Sequence, residues 1–256
     1  MLMPLWIKIC GNTSLADAEL AADAGADAVG FVFAPSPRRV KADQVAAITP
    51  HLPAQIEKIG VFVDASLDEI AAAVRVAGLT GVQLHSGAAP IDPAIKYRDL
   101  GALPIARSMR DGWESTTLFT SRINKLPAEL RAQFGAQFGR ALRILSVVHF
   151  GADAAQQAAA LAADTNIDGI LIDSRTATAV GGTGIAFDWA SASQTLFRGN
   201  AKMIAAGGLN PENVAEAIAT LRPWGVDVVS GVEAAPGRKD PAKVRAFIAN
   251  ARAESE

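Results

Sequence analysis

The chain of 256 residues is poor in cysteine, in net charge and in long apolar runs. Its one cysteine, Cys10, leaves no internal disulfide to form, so a reducing, cytoplasmic location is expected. The formal net charge of -2 gives no electrostatic reason to expect a nucleic acid or a membrane as a partner. No apolar run approaches the roughly 18 residues of a membrane span. The start, MLMPLWIKIC, lacks the basic segment and cleavage site of a signal peptide and is interpreted as a strand.

Metal-ligand patterns and a hydrolase triad are also missing. No spacing of histidine, cysteine and carboxylate residues indicates a metal site, and no Ser-His-Asp set is visible. A metal site is therefore not expected. The remaining composition, 50% hydrophobic and 20% charged, is ordinary for a globular enzyme with a sizeable core.

Eight short apolar runs recur along the chain, and most are followed by an alanine-rich helical pattern. Runs that are apolar throughout are typical of strands covered on both faces, as in parallel sheets. The predicted strands are residues 5–10, 28–33, 58–63, 81–85, 142–148, 169–174, 202–208 and 226–232. Predicted helices include residues 15–24, 67–77, 154–163, 211–221 and 241–251, the last two beginning at prolines that follow the capping residues Asn210 and Asp240.

This alternation predicts a single (β/α)8 barrel domain over residues 1–256. A doubly wound open sheet is the alternative, but the glycine-rich dinucleotide loop expected after its first strand is missing. Residues 101–141 interrupt the alternation of strands and helices and are interpreted as an insertion. A structural addition to the barrel is favoured over a lid. The segment AQFGAQFG of the insertion places Phe134 and Phe138 four residues apart, so they could share a helical face. Residues 103–109 also resemble a strand, but residues 142–148 are favoured as the fifth strand.

The carboxyl ends of barrel strands carry the chemistry of this fold. Gly207 and Gly208 end the seventh strand, and Ser230 and Gly231 end the eighth. Turns at these two positions commonly bind phosphate through backbone N–H groups and helix N-termini. The alternative is that these glycines only permit tight turns.

Cys10 ends the first strand and Asp173 ends the sixth, on either side of the predicted phosphate site. This arrangement suits proton transfer on a sugar phosphate by one base and one acid. Lys8 shares a face with Cys10 and is expected to favour its thiolate. The alternatives are a buried small apolar residue for Cys10 and a loop cap for Asp173.

Two further residues lie at the same rim. Arg38, or its neighbour Arg39, follows the second strand and could bind a carboxylate bidentately. His85 ends the fourth strand and could be a base, a hydrogen-bond donor or a structural histidine.

An ordered set of motifs resembles the phosphoribosylanthranilate isomerase family of tryptophan biosynthesis, whose members use no cofactor. The motifs are KICG (8–11), GADAVGFVFAPSPRRV (25–40), IGVFVD (59–64), VQLH (82–85), ILIDS (170–174), GGTG (181–184), FDW (187–189), GGLNPENV (207–214) and VDVVSGVEAAPGRKD (226–240). They cover nearly the whole chain apart from the insertion.

The resemblance implies an aldose–ketose isomerisation, the Amadori rearrangement of N-(5-phosphoribosyl)anthranilate to 1-(2-carboxyphenylamino)-1-deoxyribulose 5-phosphate. This is the third step from chorismate to tryptophan. The resemblance assigns the role of general base to Cys10 and that of general acid to Asp173. It also assigns the binding of the anthranilate carboxylate to Arg38. The resemblance implies that the phosphate is bound by Gly207, Gly208, Ser230 and Gly231. Lys8, His85 and Asp227 are implied as further residues of the substrate site. The expected partner is a small phosphorylated substrate, and the expected state is a monomer or homodimer.

The chain departs from the family pattern in two places. After VQLH it reads SGAAP, where the family usually has a glycine and an acidic residue, which leaves the role of His85 open. The lysine often present in the family's fifth strand is not evident in LRILSVV.

Two other classes of protein compete with the isomerase, a sister enzyme of the same barrel and a barrel without catalytic activity. A sister barrel, indole-glycerol-phosphate synthase, would require a catalytic lysine and glutamate, and a histidine-pathway sugar isomerase would require an aspartate at the end of the first strand. A catalytically silent barrel that binds phosphorylated metabolites would need neither Cys10 nor Asp173. The presence of both residues favours the isomerase.

Overall fold

Eight parallel strands form a closed barrel in which each strand pairs with the next and β8 pairs with β1. The computed structural model describes residues 5–85, 125–134, 141–173, 189–197 and 199–255. The strands are β1 Trp6–Ile9, β2 Ala28–Val32, β3 Glu57–Val63, β4 Gly81–His85, β5 Arg143–His149, β6 Gly169–Asp173, β7 Met203–Ala206 and β8 Gly225–Val228. This confirms the predicted barrel and excludes the open sheet.

Helices occupy the connections between the strands. They are α1 Leu15–Asp23, α2 Ala42–Ala46, α3 Leu67–Ala77, α4 Leu126–Phe134, α5 Ala154–Ala162, α6 Trp189–Thr195, α7 Val214–Leu221 and α8 Pro241–Ser255. Single 3-10 turns lie at Thr49–His51 and Ser230–Val232, and a small hairpin follows the second of these, with strands β9 Glu233–Ala235 and β10 Arg238–Lys239. Among the helices of the described ranges, none has both the length and the apolar character needed to cross a membrane.

The strands are apolar throughout because both of their faces are covered. One core cluster fills the layer between the strands and the helices. A second cluster fills the inside of the barrel, with Trp6, Ala28, Ile59, Leu145, Val147, Leu171, Ile204 and Ala206 as its members. A strand buried on both sides leaves no solvent-facing position for polar residues, which is why the sequence does not alternate.

The fifth strand is the later of the two predicted candidates. Arg143–His149 pairs with both β4 and β6, whereas residues 103–109 lie outside the described residues. Of the predicted insertion, the structure describes α4, in which Phe134 is fully buried beneath the guanidinium of Arg75, 5.2 Å from the ring centroid. Phe138 lies outside the described residues, so its pairing with Phe134 stays a prediction. The single domain over residues 1–256 stays a prediction as well.

One of the two predicted helix starts is confirmed and the other is wrong. Asp240 caps α8, since its Oδ1 accepts from the amides of Ala242 at 2.9 Å and Lys243 at 3.1 Å. Asn210 instead closes a turn, accepting from the amides of Glu212 at 2.9 Å and Asn213 at 3.0 Å. The same short side chain can serve a turn or a helix start, and here α7 begins three residues later than expected, at Val214.

A polar cluster closes the amino-terminal end of the barrel. The rings of Trp6 and Trp224 stack with centroids 5.3 Å apart, and the guanidinium of Arg143 lies 5.5 Å from the Trp224 ring. The Arg143 Nη2 group donates to Glu57 Oε1 at 2.7 Å, and its Nε lies 2.7 Å from Oε2. This end of such a barrel serves stability, and the chemistry belongs at the opposite end.

Candidate active site

The inward-facing polar residues near the carboxyl ends of the strands form the candidate site. Residues paired across parallel strands point to the same face of the sheet. Lys8 pairs with Ala28 on one side and with Asp227 on the other. Asp173 pairs with Ala206. Because Ala28 and Ala206 belong to the apolar cluster inside the barrel, the three polar residues face inward as well.

Cys10 follows β1 directly and shares a face with Lys8, because side chains alternate along a strand. It is a free cysteine, 3% exposed, and its amide donates to the carbonyl of Val228 at 2.8 Å. Its thiol fits against β2 at Gly30, where a Cβ atom would lie 2.5 Å from the Cys10 Sγ and 3.0 Å from the Lys8 Cε. Glycine at position 30 therefore makes room for both side chains.

Lys8 is fully buried beneath the thiol and is held by two partners. Its Nζ donates to Asp227 Oδ1 at 2.9 Å and to Gln83 Oε1 at 2.8 Å. A buried ammonium is tolerated only where charge and hydrogen bonds compensate for the lost water. Lys8 and Asp227, both predicted for the substrate site, are thus brought together next to Cys10.

Gln83 connects Lys8 to His85. An ammonium has only donors, so the Gln83 oxygen must face Lys8 and its amide nitrogen must face the histidine. The Gln83 Nε2 lies 3.0 Å from the His85 Nε2. This bond makes the His85 Nε2 an acceptor, which places the ring proton of neutral His85 on Nδ1.

Asp173 closes β6 and is 2% exposed. Around the ring, β7 and β8 separate it from β1 and Cys10. Its neighbour on β5 is His149, whose ring centroid lies 5.9 Å from that of His85. The predicted acid and base thus lie at the carboxyl ends of strands on either side of β7 and β8, in the order expected from the sequence.

The charge of Lys8 favours the Cys10 thiolate as expected, but it does not bring the pKa of Cys10 below its usual range. Burial raises the pKa of the Cys10 thiol, the charge of Lys8 opposes the rise, and the charge of Asp227 adds to it. Burial alone would lower the pKa of Lys8, but Asp227 and Cys10 outweigh it and raise that pKa. Lys8 therefore stays positively charged beside a thiol that is largely neutral.

Arg38 lies in the segment after β2 and is paired with Glu233. Its Nε donates to Glu233 Oε1 at 2.7 Å and its Nη2 donates to Oε2 at 2.6 Å. Burial alone would raise the pKa of Glu233, but the bonds from Arg38 and the charge of Lys239 outweigh it and lower that pKa. Arg39 is exposed, so Arg38 is the better placed of the two candidates.

The turns after β7 and β8 meet at the same rim. Gly207 and Gly208 have φ values of 79° and 69°, which favour glycine. Gly231 lies so close to the first turn that a Cβ atom there would stand 1.9 Å from the carbonyl oxygen of Leu209. Gly208 and Ser230 are exposed, so the predicted phosphate residues form two touching turns open to solvent.

Three residues of this region were not predicted from the sequence: Gln83, Glu233 and Lys239. Gln83 lies two residues after the start of β4 and faces inward, so the alternation of that strand could have indicated it. Glu233 and Lys239 fall within the motif VDVVSGVEAAPGRKD, but no local pattern indicates their partners. Within the described ranges, no group of three His, Cys, Asp or Glu side chains could hold a metal ion.

The fold and the site together define a class, the (β/α)8 barrels with polar residues and glycine-rich turns at the carboxyl face of the barrel. A family model described as N-(5'phosphoribosyl)anthranilate (PRA) isomerase matches residues 7–108 and 129–250. A relative from Citrifermentans bemidjiense, named N-(5'-phosphoribosyl)anthranilate isomerase, is 36% identical over 247 residues, covering 96% of each chain. The chain therefore belongs to the PRA isomerase family.

Solved structures of the same family have the same fold. A phosphoribosylanthranilate isomerase bound to reduced 1-(o-carboxyphenylamino)-1-deoxyribulose 5-phosphate is 29% identical, with a TM-score of 0.68 and coverage of 97% of this chain and 99% of that one. Monomers made from the dimeric enzyme of Thermotoga maritima are 28% identical, with a TM-score of 0.66 and coverage of 96% and 98%. As a member of this family, the chain is an isomerase of tryptophan biosynthesis.

Proposed function

We propose that the chain converts N-(5'-phosphoribosyl)anthranilate to 1-(2-carboxyphenylamino)-1-deoxyribulose 5-phosphate, with Asp173 as general acid and Cys10 as general base. The observation that carries the proposal is the position of these residues. Each lies at the carboxyl end of its strand, and the two strands flank β7 and β8, whose turns form the candidate phosphate site. A sugar phosphate held by those turns would have its pentose between the acid and the base.

The reaction follows from one proton given and one proton taken. Asp173 donates a proton to the ribose ring oxygen, the C1–O bond breaks, and the amine nitrogen forms a double bond to C1. Cys10 rests as a neutral thiol and first loses its proton to solvent; the resulting thiolate, stabilised by Lys8, removes the proton from C2, and the electron pair of that bond neutralises the nitrogen to give an enaminol. Tautomerisation places a proton on C1 and yields the 2-ketone. The site ends with a carboxylate at Asp173 and a thiol at Cys10, and uptake of one proton from solvent by Asp173 returns it to the starting state.

Lys8 is assigned the role of stabilising the Cys10 thiolate. Its charge is retained by the ion pair with Asp227, and the two residues lie on one face of β1. Since Lys8 is fully buried, it acts through Cys10 and is not an open ligand for substrate. Asp227 keeps the ammonium charged and in place.

Arg38 and the two turns orient the substrate at its two anionic ends. Among the described residues no hydrogen bond uses the Arg38 Nη1, which is therefore assigned to the anthranilate carboxylate. The phosphate is assigned to the backbone around Gly207, Gly208, Ser230 and Gly231. His85, with its proton on Nδ1, is a hydrogen-bond donor at the rim between these ends.

We infer a cytoplasmic enzyme that is a monomer or a homodimer. A catalytic free thiol requires a reducing environment, which favours the cytoplasm. The dimeric Thermotoga maritima relative favours a dimer. Light scattering during size-exclusion chromatography measures the state: one or two copies of 26.6 kDa support the inference, and a larger assembly contradicts it.

The roles of Cys10 and Asp173 are tested by separating turnover from binding. Cys10→Ser and Asp173→Asn should each lower turnover at least ~100-fold, the scale of a lost general acid or base. Both variants should bind the reduced product analogue as the native enzyme does. Asp153→Asn changes an exposed aspartate with no side-chain capping bond and is the matched control. Near-native turnover in either site variant would contradict the assignment.

A further inference from the structure

Glu233, the first residue of the β9–β10 hairpin, is held on both sides by cations. Its side chain is 4% exposed, and both of its oxygens accept from Arg38 in a bidentate pair. Its Oε1 also accepts from the amide of Gly237 at 3.3 Å and lies 3.4 Å from the Lys239 Nζ. The carboxylate therefore has a single fixed orientation, and it imposes that orientation on Arg38.

Lys239 fixes the other side of this group to the end of β1. Its buried Nζ donates to the Cys10 carbonyl at 2.6 Å and to the Val229 carbonyl at 3.1 Å. With Glu233 this makes three acceptors, which matches the three donors of an ammonium group. The backbone that carries the base is thus connected through Lys239 and Glu233 to the guanidinium of Arg38.

The three side chains formally carry one negative and two positive charges; burial lowers the pKa of Lys239, whereas the bond to Glu233 raises the pKa of Arg38, so the excess positive charge is most firmly held on Arg38. Excess charge at a largely buried position is costly without a counter-ion. An anionic group bound at Arg38 would supply that counter-ion, and the candidate substrate carries a carboxylate at its aromatic end. The pairing therefore leaves Arg38 oriented and able to accept a second anion.

We propose that Glu233 is a positioning residue that orients Arg38 for the carboxylate of the substrate and so sets the preference for a carboxylated aromatic amine. The proposal rests on the proposed function, in which Arg38 binds that carboxylate. Glu233 acts through Arg38 and does not itself contact the substrate. Without its carboxylate, Arg38 would be free to move, while the phosphate turns would keep their own contacts.

The test compares two ligands in three proteins. The ligands are the reduced product analogue and the same molecule with a phenyl ring in place of the carboxyphenyl ring. The native protein should bind the carboxylated ligand at least ~10-fold more tightly, as expected for a charge-assisted pair. Glu233→Gln and Arg38→Met should each bring the two affinities to within about threefold of one another. Glu212→Gln changes an exposed glutamate after β7 and should leave the ratio unchanged.

The outcomes separate this inference from the proposed function. If Arg38→Met leaves the affinity ratio intact, the assignment of Arg38 fails and Glu233 has no role through it. If Arg38→Met removes the preference but Glu233→Gln retains it, only the present inference fails. If Glu233 had a purely structural role, Glu233→Gln would lower the affinities for both ligands equally, and that result would also overturn the inference. Glu233→Asp keeps the charge and should recover part of the ratio, which covers the case in which Glu233→Gln folds poorly.

Discussion

Lys8 and Asp227 form an ion pair across the β1–β8 seam, with 2.9 Å between the Lys8 Nζ and the Asp227 Oδ1. The two residues are register partners, and both are buried. Cys10 lies two residues beyond Lys8 on the same face. The charge of Lys8 is therefore shared between a permanent partner and the thiolate that the mechanism requires.

Removal of Lys8 should impair both stability and turnover. Lys8→Met leaves Asp227 buried without its cation, which is expected to cost about 3–5 kcal/mol in the free energy of unfolding. It also removes the charge that favours the Cys10 thiolate, so turnover of the folded fraction should fall. Urea unfolding and a turnover assay measure the two effects.

The double variant Lys8→Met/Asp227→Asn is the control that separates them. It removes both charges, so much of the lost stability should return while turnover stays low. Recovery of turnover in the double variant would show that Lys8 serves stability alone.

Gly30 should be required for the position of the thiol. In Gly30→Ala the new Cβ would meet the Cys10 Sγ at 2.5 Å and the Cys10 Cα at 3.1 Å. The thiol would have to move, and a displacement of about 1 Å at a reacting group can cost roughly 100-fold in rate. Gly151→Ala, where a Cβ would have no heavy atom within 4 Å, is the matched control. A Gly30→Ala enzyme as active as this control would contradict the described packing.

Cys10 should react slowly with iodoacetamide in the native protein. Its pKa is raised above 9.0 by burial, so the neutral thiol persists to higher pH than in an exposed cysteine. The same shift means that stability contributed by this group is present below pH 9.0 and is lost as the pH rises through the raised pKa. Labelling followed by mass spectrometry should be slower than for the urea-unfolded chain at every pH from 7 to 9. If Cys10 in the native protein were labelled as fast as in the urea-unfolded chain, the raised pKa would be contradicted.

The ion pair at the amino-terminal end should affect stability without affecting catalysis. Arg143→Leu removes the bidentate partner of the buried Glu57 and is expected to cost about 3–5 kcal/mol in the free energy of unfolding. Turnover per folded molecule should remain native, because the cluster lies at the opposite end from Cys10. A loss of turnover beyond the loss of folded protein would show coupling between the two ends.

Much of the barrel could be predicted from the sequence because each strand is buried on both faces and is followed by a helical pattern. The same logic placed Lys8 and Cys10 on one face, two residues apart, and put Asp173 at the end of β6. These are local features, and the topology of the fold converts them into a common site.

The sequence-based predictions fail where a feature depends on contacts between residues far apart in the chain or on how deeply a side chain is buried. Asn210 closes a turn because a short amide side chain fits a turn or a helix start equally well. The pKa of Cys10 rises because the cost of burial exceeds the effect of Lys8, and burial depth is not visible in KICG. Glu233 meets Arg38 across 195 residues of chain, a contact that no local pattern encodes.

The isotope effect at C2 of the substrate tests the central assignment most directly. Substrate carrying deuterium at C2 should be turned over more slowly than the protium form by Cys10→Ser, because removal of the C2 proton then limits the rate. Asp173→Asn should show no such difference, because ring opening limits that variant before the C2 proton is reached. Equal isotope effects in the two variants, or an effect in Asp173→Asn alone, would contradict the roles given to Cys10 and Asp173.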